Sequence, residues 1–260
     1  MERGTHMITR ILSLAAALLA IGVHSAAAQE VPENTGPNAN IVRWAEGSYR
    51  YADAAGERDR GTESFRLTVH PDGTRTMIMW HDLFARNLQY SVILRVEPSF
   101  RPIQAFANYW SENGYKGSTL VTVDGDTLTA ITHGPNGRVD QTLTVPDGLS
   151  IGSHPVSADG WHAWHADHGS DGVQQTGALY GIESSGDLSK PPIGALTYMA
   201  TEVLGTETVT VPAGTFETTK YRLAGRTSIW VTGPDRLVVR MANARFSYEL
   251  LTLTRGGAGD

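Results

Sequence analysis

Four of the nine histidines of the chain and two of its six tryptophans lie in one stretch, residues 154–172. If the middle of this stretch is α-helical, each step of three residues turns the side chain back by about 60°, so His162, His165 and His168 share one broad face. Three imidazoles and a water are a working ligand set for catalytic zinc, and Asp167 could bind the ion or orient a ring. One hypothesis is therefore that this stretch binds a divalent metal such as zinc.

Two other interpretations of the same residues remain open. The histidines could transfer protons or contact a ligand without a metal, since imidazole titrates near neutral pH. Alternatively, the segment could be a loop across a barrel mouth, fixed by its tryptophans, whose histidines bond only to backbone. The HxxHxxH pattern lacks the four-residue His spacing and adjacent Glu of the helical zinc-protease motif.

A second candidate for proton transfer is the pair His81 and Asp82, which follows Trp80 at the end of a predicted strand. A histidine oriented by a neighbouring carboxylate can act as a general base. The same pair could also simply cap the strand. No GxSxG nucleophile elbow and no glycine-rich phosphate loop occurs, so the sequence supports neither class of enzyme.

Large aromatic side chains are the candidates for contacting a ligand. Tyr109 and Trp110 lie beside a predicted hairpin, Trp80 lies at a strand end, and Trp161 and Trp164 lie in the histidine-rich stretch. Aromatic rings offer apolar area together with a polar edge. Cross-strand packing would explain Tyr109 and Trp110 equally well.

Most of the chain consists of short alternating runs separated by turn residues, which is typical of antiparallel sheets. The turn residues are His70-Pro71-Asp72-Gly73, Asp124-Gly125-Asp126, Gly134-Pro135-Asn136-Gly137, Pro212-Ala213-Gly214 and Gly233-Pro234-Asp235. Helical periodicity is scarce, with candidates only at residues 82–86, 159–168 and 195–202, the last of which could equally be strand. The pattern predicts an all-β meander of about eleven or twelve strands.

A sheet of that size must curl, because strands twist and unpaired edges invite aggregation. We therefore expect an open or half β-barrel, with a short helical or irregular insertion near residues 155–175. The inner face of such a barrel is either a packed core or a ligand cavity. The six Trp, nine Tyr and six Phe of the chain offer side chains to line it.

Residues 211–218, VPAGTFET, followed by the strand sequences IWV and LVVRM, resemble an exported bacterial family known as a domain of unknown function. Phe100-Arg101-Pro102-Ile103 fits the same layout. The family is similar in fold to lipoprotein-localisation factors, whose open barrels carry acyl chains. The resemblance covers residues 45–255 and implies a fold more than an activity.

The first 28 residues read as a secretory leader: a basic Arg10, an apolar run over residues 11–23, and small residues ending at Ala28. We expect cleavage near Ala28, a flexible arm at residues 29–40 and a single barrel-like domain at residues 41–256. The run is too short for a membrane span. The product is expected to be periplasmic or secreted.

The composition limits the partners. The chain has no cysteine, so disulfides and thiolate chemistry are excluded, and its net charge of -6 disfavours nucleic acid. The leading hypothesis is a protein that binds a hydrophobic or amphiphilic small molecule in a concave barrel cavity. The alternative is a hydrolase, lyase or isomerase that uses the histidine cluster at the barrel mouth, with or without a metal.

Overall fold

The structure is a computed structural model that describes residues 41–257. The leader and the arm expected at residues 1–28 and 29–40 lie outside the described residues. Among the described residues, no helix has the length and apolar character needed to cross a membrane.

The described residues form fifteen strands, all in one sheet, and two 3-10 helices. The strands are β1 (Arg43–Asp53), β2 (Asp59–Val69), β3 (Arg75–Leu83), β4 (Leu88–Val96), β5 (Pro102–Ser111), β6 (Gly114–Asp124), β7 (Thr127–Gly134), β8 (Gly137–Thr144), β9 (Leu149–Gly152), β10 (Val173–Ile182), β11 (Gly194–Val211), β12 (Gly214–Leu223), β13 (Thr227–Thr232), β14 (Leu237–Asn243) and β15 (Phe246–Gly257). The helices are Phe84–Arg86 and Val156–Ala163.

The order of strands across the sheet is β8-β7-β6-β5-β4-β3-β2-β1-β15-β14-β13-β12-β11-β10-β9. The first and last strands pair in the middle, and two meanders run outward from them to the margins β8 and β9. All neighbours are antiparallel except β9 and β10. The predicted all-β, open barrel-like fold is confirmed. The predicted strand number was too low because β9 has only four residues and β10 begins at Val173, within the insertion expected near residues 155–175.

Side chains connect the margin strand β8 to β10 and β11 near the other end of the sheet. The Tyr180 hydroxyl of β10 donates to Gln141 Oε1 of β8 over 2.7 Å, and Gln141 Nε2 donates to the carbonyl oxygen of Gly194 over 3.0 Å. Among the described strands, no backbone ladder joins β8 to β9. The sheet is therefore curled but unclosed.

Alternation along the strands sets which side chains face inward. In β2 and β3 the buried residues occupy every second position, as expected for a sheet with one face on the core. The inner face of β2 to β6 is mainly apolar. Its buried members include Phe65, Leu67, Met77, Met79, Val92, Leu94, Ala105, Ala107 and Val121.

Residues 153–166, which we call the plug, lie against this inner face. Val156, Ala158 and Trp161 belong to the same buried cluster as the inner residues of β1 to β7. Gly160 packs so closely that a Cβ there would lie 2.0 Å from the carbonyl oxygen of Arg236. The expected insertion is therefore inside the curled sheet and not across a barrel mouth, and its helix is 3-10 rather than a helix over residues 159–168.

Candidate functional site

Five polar side chains form a line across the inner face of β1 to β5, which we call the inner polar row. Successive members are direct cross-strand partners, and each is at most 2% exposed. The members are Tyr49, Glu63, His81, Tyr90 and Tyr109. With strands about 4.8 Å apart, the row spans roughly 19 Å. A polar line of this length inside an apolar face is the most unusual feature of the interior.

The carboxylate of Glu63 holds the start of the plug helix. Glu63 Oε2 accepts the backbone N–H of Val156 over 2.7 Å, and Oε1 accepts that of Ser157 over 3.0 Å. The Tyr51 hydroxyl, from β1, donates to the same Oε2. The first N–H groups of a helix have no partner within the helix, so this carboxylate satisfies two of them.

Burial raises the pKa of Glu63 from its usual 4.5 to about 7, although the bonds from Ser157, Tyr51 and Val156 act in the opposite direction. Removing a carboxylate from water penalises its charged form, and hydrogen-bond donors offset only part of that penalty. Burial therefore makes Glu63 easier to protonate than a carboxyl group in water while it holds the plug.

His81 lies directly opposite Glu63 and is 1% exposed. Its ring stacks on Tyr51 at 4.3 Å between centroids and lies 5.1 Å from the ring of Tyr90. Within residues 41–257, neither ring nitrogen has a hydrogen-bond partner. Burial lowers the pKa of His81 to about 3, so the ring is neutral and offers one unused donor and one unused acceptor.

The first residues of the plug also contact the other end of the inner polar row. The Tyr109 hydroxyl lies 3.5 Å from the carbonyl oxygen of Ser153, and the ring of His154 stacks on Tyr90 at 6.0 Å. Both contacts are long, so each contributes little to holding the plug in place. Of the row members, Glu63 makes the short bonds to the plug.

The far end of the plug is held by a cluster around the β13–β14 turn. Asp235 pairs with Arg43 over 2.6 Å and with Arg75 over 2.9 Å, and its carbonyl oxygen accepts the Trp161 indole N–H over 2.9 Å. Burial alone would raise the pKa of Asp235, but the bonds and charges of Arg43 and Arg75 hold it below its usual value. Arg236 donates to the plug carbonyls of Gly160 and Ala163.

Little space remains beside the plug. A cavity of about 10 Å³ lies among Leu94, Phe100, Ile151, Ala158 and Trp161. That volume admits at most one water. At this point the concave face is filled by the chain itself, and a ligand could occupy it there if the plug moved.

The three histidines predicted to bind a metal do not converge. His162 Nε2 lies 3.1 Å from Asp159 Oδ1, whereas His168 Nε2 bonds the Tyr221 hydroxyl over 3.0 Å. The ring of His165 packs edge-on against Trp164. Across residues 41–257, no group of three or more His, Cys, Asp or Glu side chains could hold a metal ion. The helical face expected for them is missing because the 3-10 helix ends at Ala163.

The two predicted carboxylate partners also have other roles. Asp167 closes a local turn, with Oδ1 accepting Gly169 N–H over 2.9 Å and Oδ2 accepting the Ser170 hydroxyl. Asp82 points outward and accepts from Gln89 over 3.4 Å, whereas His81 points inward. Successive strand residues face opposite sides of a sheet, so the expected His81–Asp82 pair cannot form.

The five aromatic residues predicted to contact a ligand lie on different faces. Trp80 and Trp110 share the outer face, with ring centroids 6.0 Å apart. Tyr109 and Trp161 are buried inside, and the half-buried Trp164 donates to the carbonyl oxygen of Leu149 over 3.0 Å. They do not line one cavity.

Sequence reasoning missed Tyr51 and Glu63. A signal for Glu63 was present, because it occupies the apolar phase of the alternation that continues at Phe65, Leu67 and Val69. A carboxylate at a position that should be buried marks either a functional group or a structural bond.

Comparisons with known proteins give structural likenesses only. No family model matches the chain, and no curated protein matches it. One similar solved structure is a beta-barrel-like protein of the domain of unknown function DUF1849 from Brucella abortus, at 10% identity and a TM-score of 0.49, covering 83% of this chain and 98% of that one. Another is a DUF1089 family protein from Pseudomonas aeruginosa, at 12% identity and a TM-score of 0.42, covering 68% and 87%.

Proposed function

We propose that this chain is an exported binding protein that holds a hydrophobic or amphiphilic small molecule on the concave face of its sheet, in the place that the plug occupies here. The observation that carries the proposal is the apolar inner face of β2 to β6, covered by a short segment of the same chain. The leader sequence supports an address in the periplasm or outside the cell.

The way the plug is held favours its exchange for a ligand. Its only regular element is one 3-10 helix of eight residues, a form with weaker hydrogen-bond geometry than an α-helix. Its polar bonds lie at Glu63, around Asp235 and Arg236, and from the His154 and Trp164 rings to the carbonyl oxygens of Ile182 and Leu149. Beneath it, Met77 and Met79 supply flexible side chains that can repack around a different guest.

Weakening the plug tests the proposal. Trp161→Ala removes its largest apolar contact, so the variant should bind the neutral dye Nile red more tightly than the unaltered protein, by about tenfold or more. Trp80→Ala is the matched control, because Trp80 lies on the outer face and is 47% exposed. It should leave dye binding unchanged.

Fluorescence titration measures both affinities, and native mass spectrometry of the freshly purified protein looks for a retained molecule. Equal dye binding by the Trp161→Ala and Trp80→Ala variants, with an empty protein in the spectrometer, would show that the concave face is a permanent core.

A further inference from the structure

The inner polar row bears on the chemistry of the molecule that replaces the plug. Two of the three donors to Glu63, the N–H groups of Val156 and Ser157, belong to the plug and leave with it. The third donor, the Tyr51 hydroxyl, belongs to β1 and stays. A buried carboxyl group, charged or neutral, is disfavoured when it loses its hydrogen-bond partners, so a ligand that supplies none would bind poorly.

His81 adds a second hydrogen-bonding group at the same place. It is the direct cross-strand partner of Glu63, so the two Cβ atoms are about 5 Å apart. Its neutral ring holds a free acceptor nitrogen, and both ring nitrogens are without partners among the described residues. A group bound at Glu63 can therefore donate to His81 as well.

We infer that the ligand is an amphiphile whose head group donates N–H bonds to Glu63 and His81, as an alkylammonium does. A primary ammonium has three donors, and the site offers three acceptors: the two oxygens of Glu63 and one nitrogen of His81. A fatty acid carboxylate has no donor and is repelled by Glu63. This inference rests on the proposed function, because the site opens only when the plug leaves.

The apolar face places the alkyl chain. Phe65 and Met79 lie two residues along β2 and β3 from Glu63 and His81, and Leu67 and Met77 lie two residues further. Two residues of strand span about 6.6 Å, so an alkyl chain can extend from the row over these side chains. Head group and chain thus have separate, adjoining surfaces.

Three ligands of equal chain length test the inference: decylamine, decanol and decanoate, each titrated calorimetrically below its micelle concentration at neutral pH. Decylamine should bind about tenfold or more tightly than decanol, and decanoate should bind most weakly. In the Glu63→Gln variant, decylamine should lose about tenfold or more in affinity, while decanol changes less than about threefold.

Glu46→Gln is the matched control for net charge, because Glu46 lies on the outer face, where it pairs with Arg66 over 3.5 Å. It should leave all three affinities unchanged. If Glu63→Gln changes the circular dichroism spectrum, the variant is not used, and the order of the three ligand affinities in the unaltered protein is the test of the inference.

Equal affinity for the three ligands, or an unchanged decylamine affinity in a folded Glu63→Gln variant, would overturn the inference and leave the proposed function standing. Failure of all three to bind both the unaltered protein and the Trp161→Ala variant would overturn both.

Discussion

Glu63 and His81 face each other across β2 and β3 inside the sheet, and burial shifts their pKa values in opposite directions. It raises the pKa of Glu63 to about 7 and lowers that of His81 to about 3. Between these values both groups are mainly uncharged. An acid and a base that would form an ion pair in water are here kept neutral, and the acid holds the plug.

The first prediction concerns pH. The folded pKa of Glu63 lies above its usual 4.5, so the closed plug binds the proton more tightly than an open state in which the carboxyl is solvated. Raising the pH from about 4.5 to about 7 should therefore favour opening, by up to about tenfold per pH unit, with a plateau above. Hydrogen-exchange protection of the Val156 and Ser157 amides measures this.

Three groups that lie beside Glu63, namely Tyr49, Tyr51 and His81, do not titrate in that window. Burial raises the pKa of Tyr49 and Tyr51 well above the usual value for tyrosine, and that of His81 lies below the window. Glu63→Gln should make the protection independent of pH. A pH dependence that survives this substitution would assign the effect to another group.

A second prediction concerns the unpaired imidazole. His81→Phe replaces two unsatisfied buried nitrogens by apolar atoms of similar shape, so it should raise the free energy of unfolding by about 1 kcal/mol. The exposed His133 is the control, and His133→Phe should change stability by less than about 0.5 kcal/mol. Urea unfolding compares the two, and destabilisation by His81→Phe would indicate that His81 makes a bond in solution.

A third prediction concerns the charged cluster at the far end of the plug. Asp235→Asn leaves the buried Arg75 without its ion pair, and the loss of stability should be about 3 kcal/mol. Because the pKa of Asp235 is lowered, the same stabilisation should also disappear as the pH falls through that lowered pKa.

Asp140→Asn is the comparison for Asp235→Asn, since Arg138 and Asp140 form an exposed pair at 2.8 Å. An exposed pair contributes little, so the change should stay within about 0.5 kcal/mol. Equal effects of the two substitutions in thermal unfolding would contradict a structural role for the buried cluster.

A fourth prediction concerns the close contact between Gly160 of the plug and the backbone of Arg236. Gly160→Ala places a Cβ 2.0 Å from the carbonyl oxygen of Arg236, so the plug must shift. We expect lower stability, by about 1–3 kcal/mol, together with tighter Nile red binding. Gly181→Ala, where nothing lies within 4 Å of the added atom, should be close to neutral in both measurements.

The turns and the class of fold could be predicted because their determinants are local. The turn after β2 at residues 70–73 and the Asp-Gly turn between β6 and β7 lie where they were predicted. The segment at residues 195–202, predicted as helix or strand, is part of β11.

The position of the histidine-rich segment inside the sheet could not be predicted, because its regular part is a short 3-10 helix of eight residues, which shows too few turns for a clear hydrophobic periodicity. The outer face adds a second difficulty. Ile78, Ile93 and Phe106 are direct cross-strand partners there and are exposed, so several strands carry apolar residues on both faces. The alternation of apolar and polar residues then does not show which face of the sheet encloses the interior. It also does not show that Glu63 and His81 are cross-strand partners.

Side-chain bonds from Tyr180 to Gln141 and from Gln141 to Gly194, together with the bond from Lys116 to the carbonyl oxygen of Ser185, link the two ends of the sheet, where the described strands have no backbone ladder. In a closed barrel, backbone hydrogen bonds between all neighbouring strands fix the circumference. In this sheet, such bonds are missing between β8 and β9. Separating those bonds would widen the interior while every strand ladder stays intact. The circumference at this line therefore depends on side-chain bonds, whereas everywhere else among the described strands it is set by backbone ladders.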